Sequence, residues 1–292
     1  MFKIEKATAE DFEKIYPFLQ KLNSRDLSEE DWRNIFIQHW ESPEDFCGLM
    51  LVKDGEVKGF LGLIFSSRIF NNEIYKFCNI SSWIVDEDSR SQSLFMLLEA
   101  LKLKDYTFTC FSASPTSVAP VLSKLGFKGF EVNQQVLPAM PNLLLQGRGY
   151  TCEFNLRKIR ERLNETERVI FDDHQNLGCA HLLLKSDKGY AYVVLKNTRR
   201  RNIPLAKVHY ISDAGHFAQG IEKFVLKICL RLKVLGIMVD ERYLEGRQMR
   251  KSIRYPQQRK AYFKSNSKTL DENQIDTLYS EMVVLYHPKV AA

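Results

Sequence analysis

NISSWIVDEDSRSQSLFMLLEALK, residues 79–102, decides the fold. Its apolar run ends at Val85, an acidic and polar stretch passes through Arg90, and apolar residues resume at helical spacing from about Ser93, which predicts strand, loop and helix. A helix opening here presents free backbone N–H groups and the positive end of its dipole to the loop. Such a place can hold a pyrophosphate without a glycine-rich Walker loop.

Upstream, Phe2 to Ala7 alternates like a strand, and Thr8 with Asp11 reads as a capping box opening a helix that turns Phe12, Ile15, Leu19 and Leu22 to one side. Ser28 with Asp31 repeats the signal ahead of Trp32, Ile35 and Phe36, with Trp40 near the helix end. Residues 48–70, GLMLVKDGEVKGFLGLIFSSRIF, predict a hairpin turning at Asp54-Gly55, two positions that tolerate positive φ. Asn71-Asn72 turns the chain again and residues 74–86 supply a third strand. Downstream, TFTCFSAS (107–114) predicts a strand, and SVAPVLSKLGF (117–127) a helix ending at Gly126. An antiparallel meander followed by strand, helix, strand and helix implies an α/β fold with a mixed sheet.

From about residue 150 the same order recurs. LRKIRERL and ETERVIFDDH predict helices, HLLLK and YAYVVLK the strands of a hairpin turning at Asp187 to Gly189, and AKVHYISD (206–213) a strand leading into a helix over FAQGIEKFVLKICLRL. VLGIMVDE (234–241) follows as a strand. Asp54 to Asp187, Phe77 to His209 and Phe95 to Phe224 are each about 130 residues apart, a constant offset expected of a duplicated unit. MPNLLLQGRG (140–149) combines Pro and Gly with loss of alternation and reads as the connector. The expected division is therefore residues 1–145 and 146–292.

The charge is divided unevenly. Residues 1–146 carry 15 Lys+Arg against 20 Asp+Glu, net −5, and residues 147–292 carry 27 against 16, net +11. The basic second half suits an anionic partner. RYLEGRQMRKSIRYPQQRKAYFK (242–264) interleaves Arg242, Arg247, Arg254 and Arg259 with Tyr243, Tyr255 and Tyr262; without an RNA-binding signature, nucleic acid is not the expected partner. The six cysteines contain no C-x-x-C pair, so a reducing compartment and no metal are expected. With no signal peptide and no apolar run of membrane-spanning length, the protein is expected to be cytoplasmic. Nothing in the residues fixes an oligomeric state.

The element order and the 79–102 stretch resemble the GNAT (acyl-CoA N-acyltransferase) superfamily, whose pyrophosphate loop reads Q/R-x-x-G-x-G/A. Arg90-Ser91-Gln92-Ser93-Leu94-Phe95 stands in that place, with Ser93 for the first small residue and bulky Phe95 for the second. The resemblance implies two mixed sheets flanked by helices, with acetyl-CoA as acyl donor in the first half, held by Arg90, Ser91, Gln92, Ser93 and Leu94. It also implies that the backbone of Trp83, Ile84 and Val85 pairs with the pantetheine arm. SVAPVLSKLGF resembles the family's A-x-x-x-Y-x-x-L-G-F segment, with Leu122 where the proton-donating tyrosine would stand. The family's glutamate base falls near Asn79 or Ser81. Neither usual acid/base group is present.

Acyl transfer still needs a proton acceptor. His209, on the second-half counterpart of the cofactor strand, is the first candidate, since an imidazole takes protons near neutrality; a satisfied half-buried histidine is the competing reading. Glu281 is the second, within LYSEMVVLY (278–286), whose alternation reads as a strand placing Glu281 and Tyr279 on one face. Cys78, Cys110 and Ser112 have no evident adjacent base and are not expected to be nucleophiles. Two functions follow. One is transfer of an acetyl or small acyl group to an amine or hydroxyl of a small, anionic acceptor. The other is a ligand-binding or complex-forming protein that keeps the fold without catalysis, consistent with Phe95 and Leu122.

Overall fold

A computed structural model describes residues 1–22, 27–70, 73–140, 149–255, 260–267 and 269–285. Asn71-Asn72, Arg259 and most of the expected connector lie outside them. In chain order the elements are β1 (Phe2–Ala7), α1 (Phe12–Gln20), α2 (Glu29–Arg33), β2 (Gly48–Lys53), β3 (Glu56–Phe70), β4 (Glu73–Val85), α3 (Ser93–Ala100), β5 (Tyr106–Cys110), α4 (Val118–Lys124), β6 (Lys128–Phe130) and β7 (Gln134–Pro138). They continue with β8 (Thr151–Glu153), α5 (Leu156–Arg162), α6 (Glu165–His174), β9 (Ala180–Lys185), β10 (Tyr190–Arg200), β11 (Ile203–Ile211), α7 (Ala214–Leu232), β12 (Gly236–Asp240), β13 (Ile253–Tyr255), β14 (Ala261–Lys264) and α8 (Glu281–Val284).

Two compact units result. The first holds Met1–Phe130, Ala261–Ile275 and the stretch from Tyr279; the second holds Glu131–Lys260 and Asp276–Leu278. The first unit's sheet runs β1-β2-β3-β4-β5-β14-β6 and the second unit's β8-β9-β10-β11-β12-β7-β13. The pattern is the same in both: an antiparallel four-strand meander, a fifth strand parallel to the fourth, then two antiparallel strands. In each repeat the last strand, β7 or β14, sits in the sheet formed by the other repeat. The compact units therefore differ from a division at 145/146, because sequence alternation shows that a segment is a strand but not which sheet receives it.

Local rules account for most elements. Thr8 with Asp11 and Ser28 with Asp31 both form capping boxes. Asp54 and Gly55 have φ of 51° and 84°, the double positive turn that suits a two-residue hairpin. On one face of the first sheet Leu49, Leu61, Leu63 and Ile80 pack with Met96 and Leu97 of α3 and Leu122 of α4. Phe12 meets Phe36 edge-on and Phe36 stacks on Phe60, with centroids 5.1 and 5.4 Å apart. The second unit buries Leu182, Val193, Val208 and Ile237 against Phe217, Ile221 and Ile228 of α7. Within the expected strand over 278–286, Glu281–Val284 instead forms one short helix, α8. Ser280 caps it by accepting the Met282 N–H at 3.2 Å, a local bond that overrides the alternation. No helix is long and apolar enough to cross a membrane among the described residues.

Candidate active site

The first sheet opens between β4 and β5. Their parallel pairing runs from Lys76↔Tyr106 to Asn79↔Thr109, and β5 ends at Cys110 while β4 continues, paired to β3, as far as Val85. From Ile80 onward, the β4 edge facing away from β3 joins no strand ladder among the described residues. The same part of β4 carries a bulge. The β3–β4 register shifts between Phe60 and Gly62, and Ser82 takes a left-handed φ of 46°. A bulge re-aims side chains and backbone groups on its strand. Gly62 permits it: a Cβ there would lie 2.8 Å from Ser81 Oγ. The hydroxyls of Ser81 and Ser82 and the indole N–H of Trp83 are buried without a hydrogen-bond partner among the described residues. Each such group costs about 1–3 kcal/mol unless a ligand or water meets it.

Glu281 comes to the point where the two strands part. It is 3% exposed. Its Oε1 accepts the Ser112 hydroxyl at 2.7 Å, and its backbone N–H donates to Asn79 Oδ1 at 3.3 Å. Asn79 in turn donates to Thr109 Oγ1 at 3.1 Å. The first residue of α8 thus stands beside Asn79, one of the two β4 positions where the family resemblance places a glutamate, with its own carboxylate at Ser112. Cys110 nearby is pushed well up, first by burial and then by the Glu281 charge, so it is an inert thiol.

The loop after β4 differs from the open cradle expected for a pyrophosphate. Glu87–Gln92 forms a 3-10 helix running straight into α3. Ser89 N–H donates to Asp86 C=O and Ser93 N–H to Arg90 C=O, so these amides are committed internally. Asp86, Glu87 and Asp88 add negative charge; Lys21 answers Asp86 at 2.7 Å. Arg90 and Ser91 are exposed, Gln92 and Ser93 half-buried, and Leu94 and Phe95 present apolar surface at 42% and 54% exposure. Trp83, Ile84 and Val85 lie on the part of β4 beyond the β5 ladder.

His209 belongs to the second unit. It is 2% exposed, with Nδ1 2.8 Å from Thr277 Oγ1. Burial, then Lys207, Lys196 and His174, pushes its pKa well below the ordinary value and keeps the ring neutral. Leu122 is fully buried in the first core and transfers no proton. Among the described residues, no His/Cys/Asp/Glu group could hold a metal ion. Asn79 and Ser112 are the partners that sequence reading missed as such. Their contact with Glu281 spans 202 and 169 residues, a separation that leaves no local signal.

No protein-family model matches the sequence, and no curated protein matches it. Solved structures do. The chain is similar to a GCN5-related N-acetyltransferase from Anabaena variabilis (TM-score 0.60, 12% identity, covering 90% of this chain and 72% of that one). It is also similar to a GCN5-related N-acetyltransferase from Kribbella flavida (0.59, 11%, 90% and 70%) and to a putative acetyltransferase from Pyrococcus horikoshii (0.52, 14%, 91% and 90%). With both seven-stranded sheets matched in one alignment of this coverage, the chain has the GCN5-related N-acetyltransferase fold in two tandem halves.

Proposed function

We propose that the first unit transfers an acetyl or other small acyl group from an acyl-CoA thioester to an amine, with Glu281 as the base. The observation that carries this reading is the buried Glu281, its carboxylate accepting the Ser112 hydroxyl and its backbone N–H donating to Asn79 Oδ1 where β4 and β5 part. The residues fit the two ends of the donor unequally. The unladdered β4 edge and the unpartnered groups of Ser81, Ser82 and Trp83 suit the amide-bearing pantetheine arm. The 3-10 turn and its acids offer little to the pyrophosphate beyond Arg90.

A bound acyl thioester supplies an electrophilic carbonyl and a thiolate leaving group. Glu281 accepts the proton that the acceptor nitrogen loses as its C–N bond forms. The backbone N–H of Val85, on the β4 edge that faces away from β3, stabilises charge on the carbonyl oxygen. As the C–S bond breaks, the proton held on Glu281 returns to the thiolate through solvent, so the sum is amide plus free thiol. His209, neutral and tied to Thr277, has a packing role in the second unit. The test is thiol release from acetyl-CoA with a panel of primary amines, for the wild type and for Glu281→Gln. Release that depends on the amine and collapses in the variant supports the reading; release unchanged in the variant removes Glu281 from it.

One observation favours a second reading. The filled phosphate loop, together with Leu122, also suits a protein that binds a ligand in this opening and performs no transfer. Saturable acetyl-CoA or amine binding with no thiol release would establish that alternative.

A further inference from the structure

The first unit contains a cavity of about 410 Å3. Phe36, Trp40, Phe46 and Phe65 give it an aromatic wall, and the charged side chains among its lining residues are Glu44 and Asp45. His39 is the one other titratable side chain there besides Cys47; no Lys or Arg lines it among the described residues. The wall is fixed in place. The Trp40 indole donates to Phe65 C=O at 2.7 Å and packs edge-on against Tyr279 at 4.9 Å. Tyr106 donates its hydroxyl to Glu44 Oε1 at 2.8 Å, orienting the carboxylate. Lys6 holds its ammonium 4.2 Å from the centre of the Phe46 ring and occupies that ring's cation site. The cavity shares two elements with the proposed base: Val284 lies one turn beyond Glu281 on α8, and Ile64 is the ladder partner of Asn79.

A cavity of aromatic rings and carboxylates favours a cation with an apolar body. Carboxylates also raise the proton affinity of an amine that they bind, and a protonated amine has no lone pair with which to attack a carbonyl. The nitrogen held here is therefore not the one that reacts. We propose that the cavity anchors the non-reacting cationic end of a small acceptor that carries two basic nitrogens on an apolar spacer, a diamine or an amino-guanidine. The second nitrogen's role rests on the acyl-transfer reading above; the cavity's preference for a cation does not. The anionic acceptor suggested by the basic second half would meet the wrong sign here.

The experiment is calorimetric titration of the full chain, without acyl donor, using 1,4-bis(aminomethyl)benzene and the matching dianion 1,4-phenylenediacetate. The diamine is expected to bind and the dianion not. Glu44→Gln/Asp45→Asn is expected to weaken diamine binding at least about tenfold, as loss of a charge-assisted contact implies. Should the double variant not fold, Asp45→Asn alone, at an exposed position, gives the same direction with a smaller change. Diamine binding unaltered by either variant, or dianion binding of equal strength, overturns the inference. Adding acetyl-CoA separates the two claims. Cation-selective binding with no thiol release leaves the cavity standing and removes the transfer reading. Thiol release with equal kcat/KM for benzylamine and the diamine does the reverse.

Discussion

At Glu281, glutamine keeps an oxygen for the Ser112 hydroxyl and removes the capacity to take a proton. Glu281→Gln should lower kcat for amine acylation by about 10²–10⁴, the usual contribution of a positioned base, with little change in melting temperature. Ser112→Ala leaves the carboxylate but loosens its geometry. A smaller fall in kcat is expected, together with an upward displacement of the acidic limb of the pH–rate profile, since the carboxylate loses a hydrogen bond that favours its charged form. An unmoved acidic limb would confine Ser112 to packing. Glu281 was legible as a candidate because an acid in an apolar run is unusual. Its secondary structure was misread, since YSEMVVL alternates as a strand would and one Ser280 cap decides otherwise. His209 was legible as a buried polar residue, and its neutrality follows from the desolvation that burial brings.

Among the elements, β4 and the turn after it decide how a donor is held. On the acyl-transfer reading proposed above, the bonded amides of Ser89 and Ser93 and the acids Asp86, Glu87 and Asp88 leave the nucleotide end of the donor little to bind. Shortening the donor to S-acetylpantetheine should then reduce kcat/KM by less than about tenfold, whereas an enzyme that invests remote binding energy in the transition state loses far more. Steady-state thiol release with both donors measures this. The bulge itself is testable through Ser82. Ser82→Gly removes the cost of a left-handed side-chain-bearing residue and should raise stability by about 1 kcal/mol; Ser82→Val should lower it, as chemical denaturation would show. The Asp54-Gly55 hairpin and both capping boxes were readable because their chemistry is local. The 3-10 turn over Glu87–Gln92 was not: a polar segment between strand and helix has the same composition whether its amides are open or closed.

For the whole molecule, acid should destabilise the fold in a definite window. His181 is 3% exposed, with Nδ1 2.8 Å from Tyr192 Oη, and burial, then His174, lowers its pKa from about 6.5 to about 4. The unfolded chain binds this proton first, so stability is lost as pH falls from about 6.5 toward about 4, at up to about 1.4 kcal/mol per pH unit while the two states differ by one proton. His209, depressed in the same direction, adds to the slope. Melting temperatures from pH 7 to pH 4 should fall, and less steeply in His181→Gln. The repeat of about 130 residues was legible through element order, and the two sheets carry the same strand pattern. The exchange of β7 and β14 was not legible, because pairing partners so distant in sequence leave no trace in alternation. It predicts that a fragment of residues 1–145 does not reach the folded state of the first unit. Lacking β14, it leaves β5 and β6 without the strand that joins them, and circular dichroism with proteolysis would show an unstable, aggregating chain.

That strand order also sets a timetable. On a ribosome, β5 and β6 emerge early, yet the strand that must lie between them follows only after roughly 130 further residues. At about 5–20 residues per second the gap lasts roughly six to twenty-six seconds. Through that interval the first unit waits with its sheet split, while the second already has all seven of its strands when β13 appears. The half translated last can therefore be the half that finishes folding first. An early, aggregation-prone nascent chain is the corresponding hazard, which gives cotranslational chaperones a specific segment to shield.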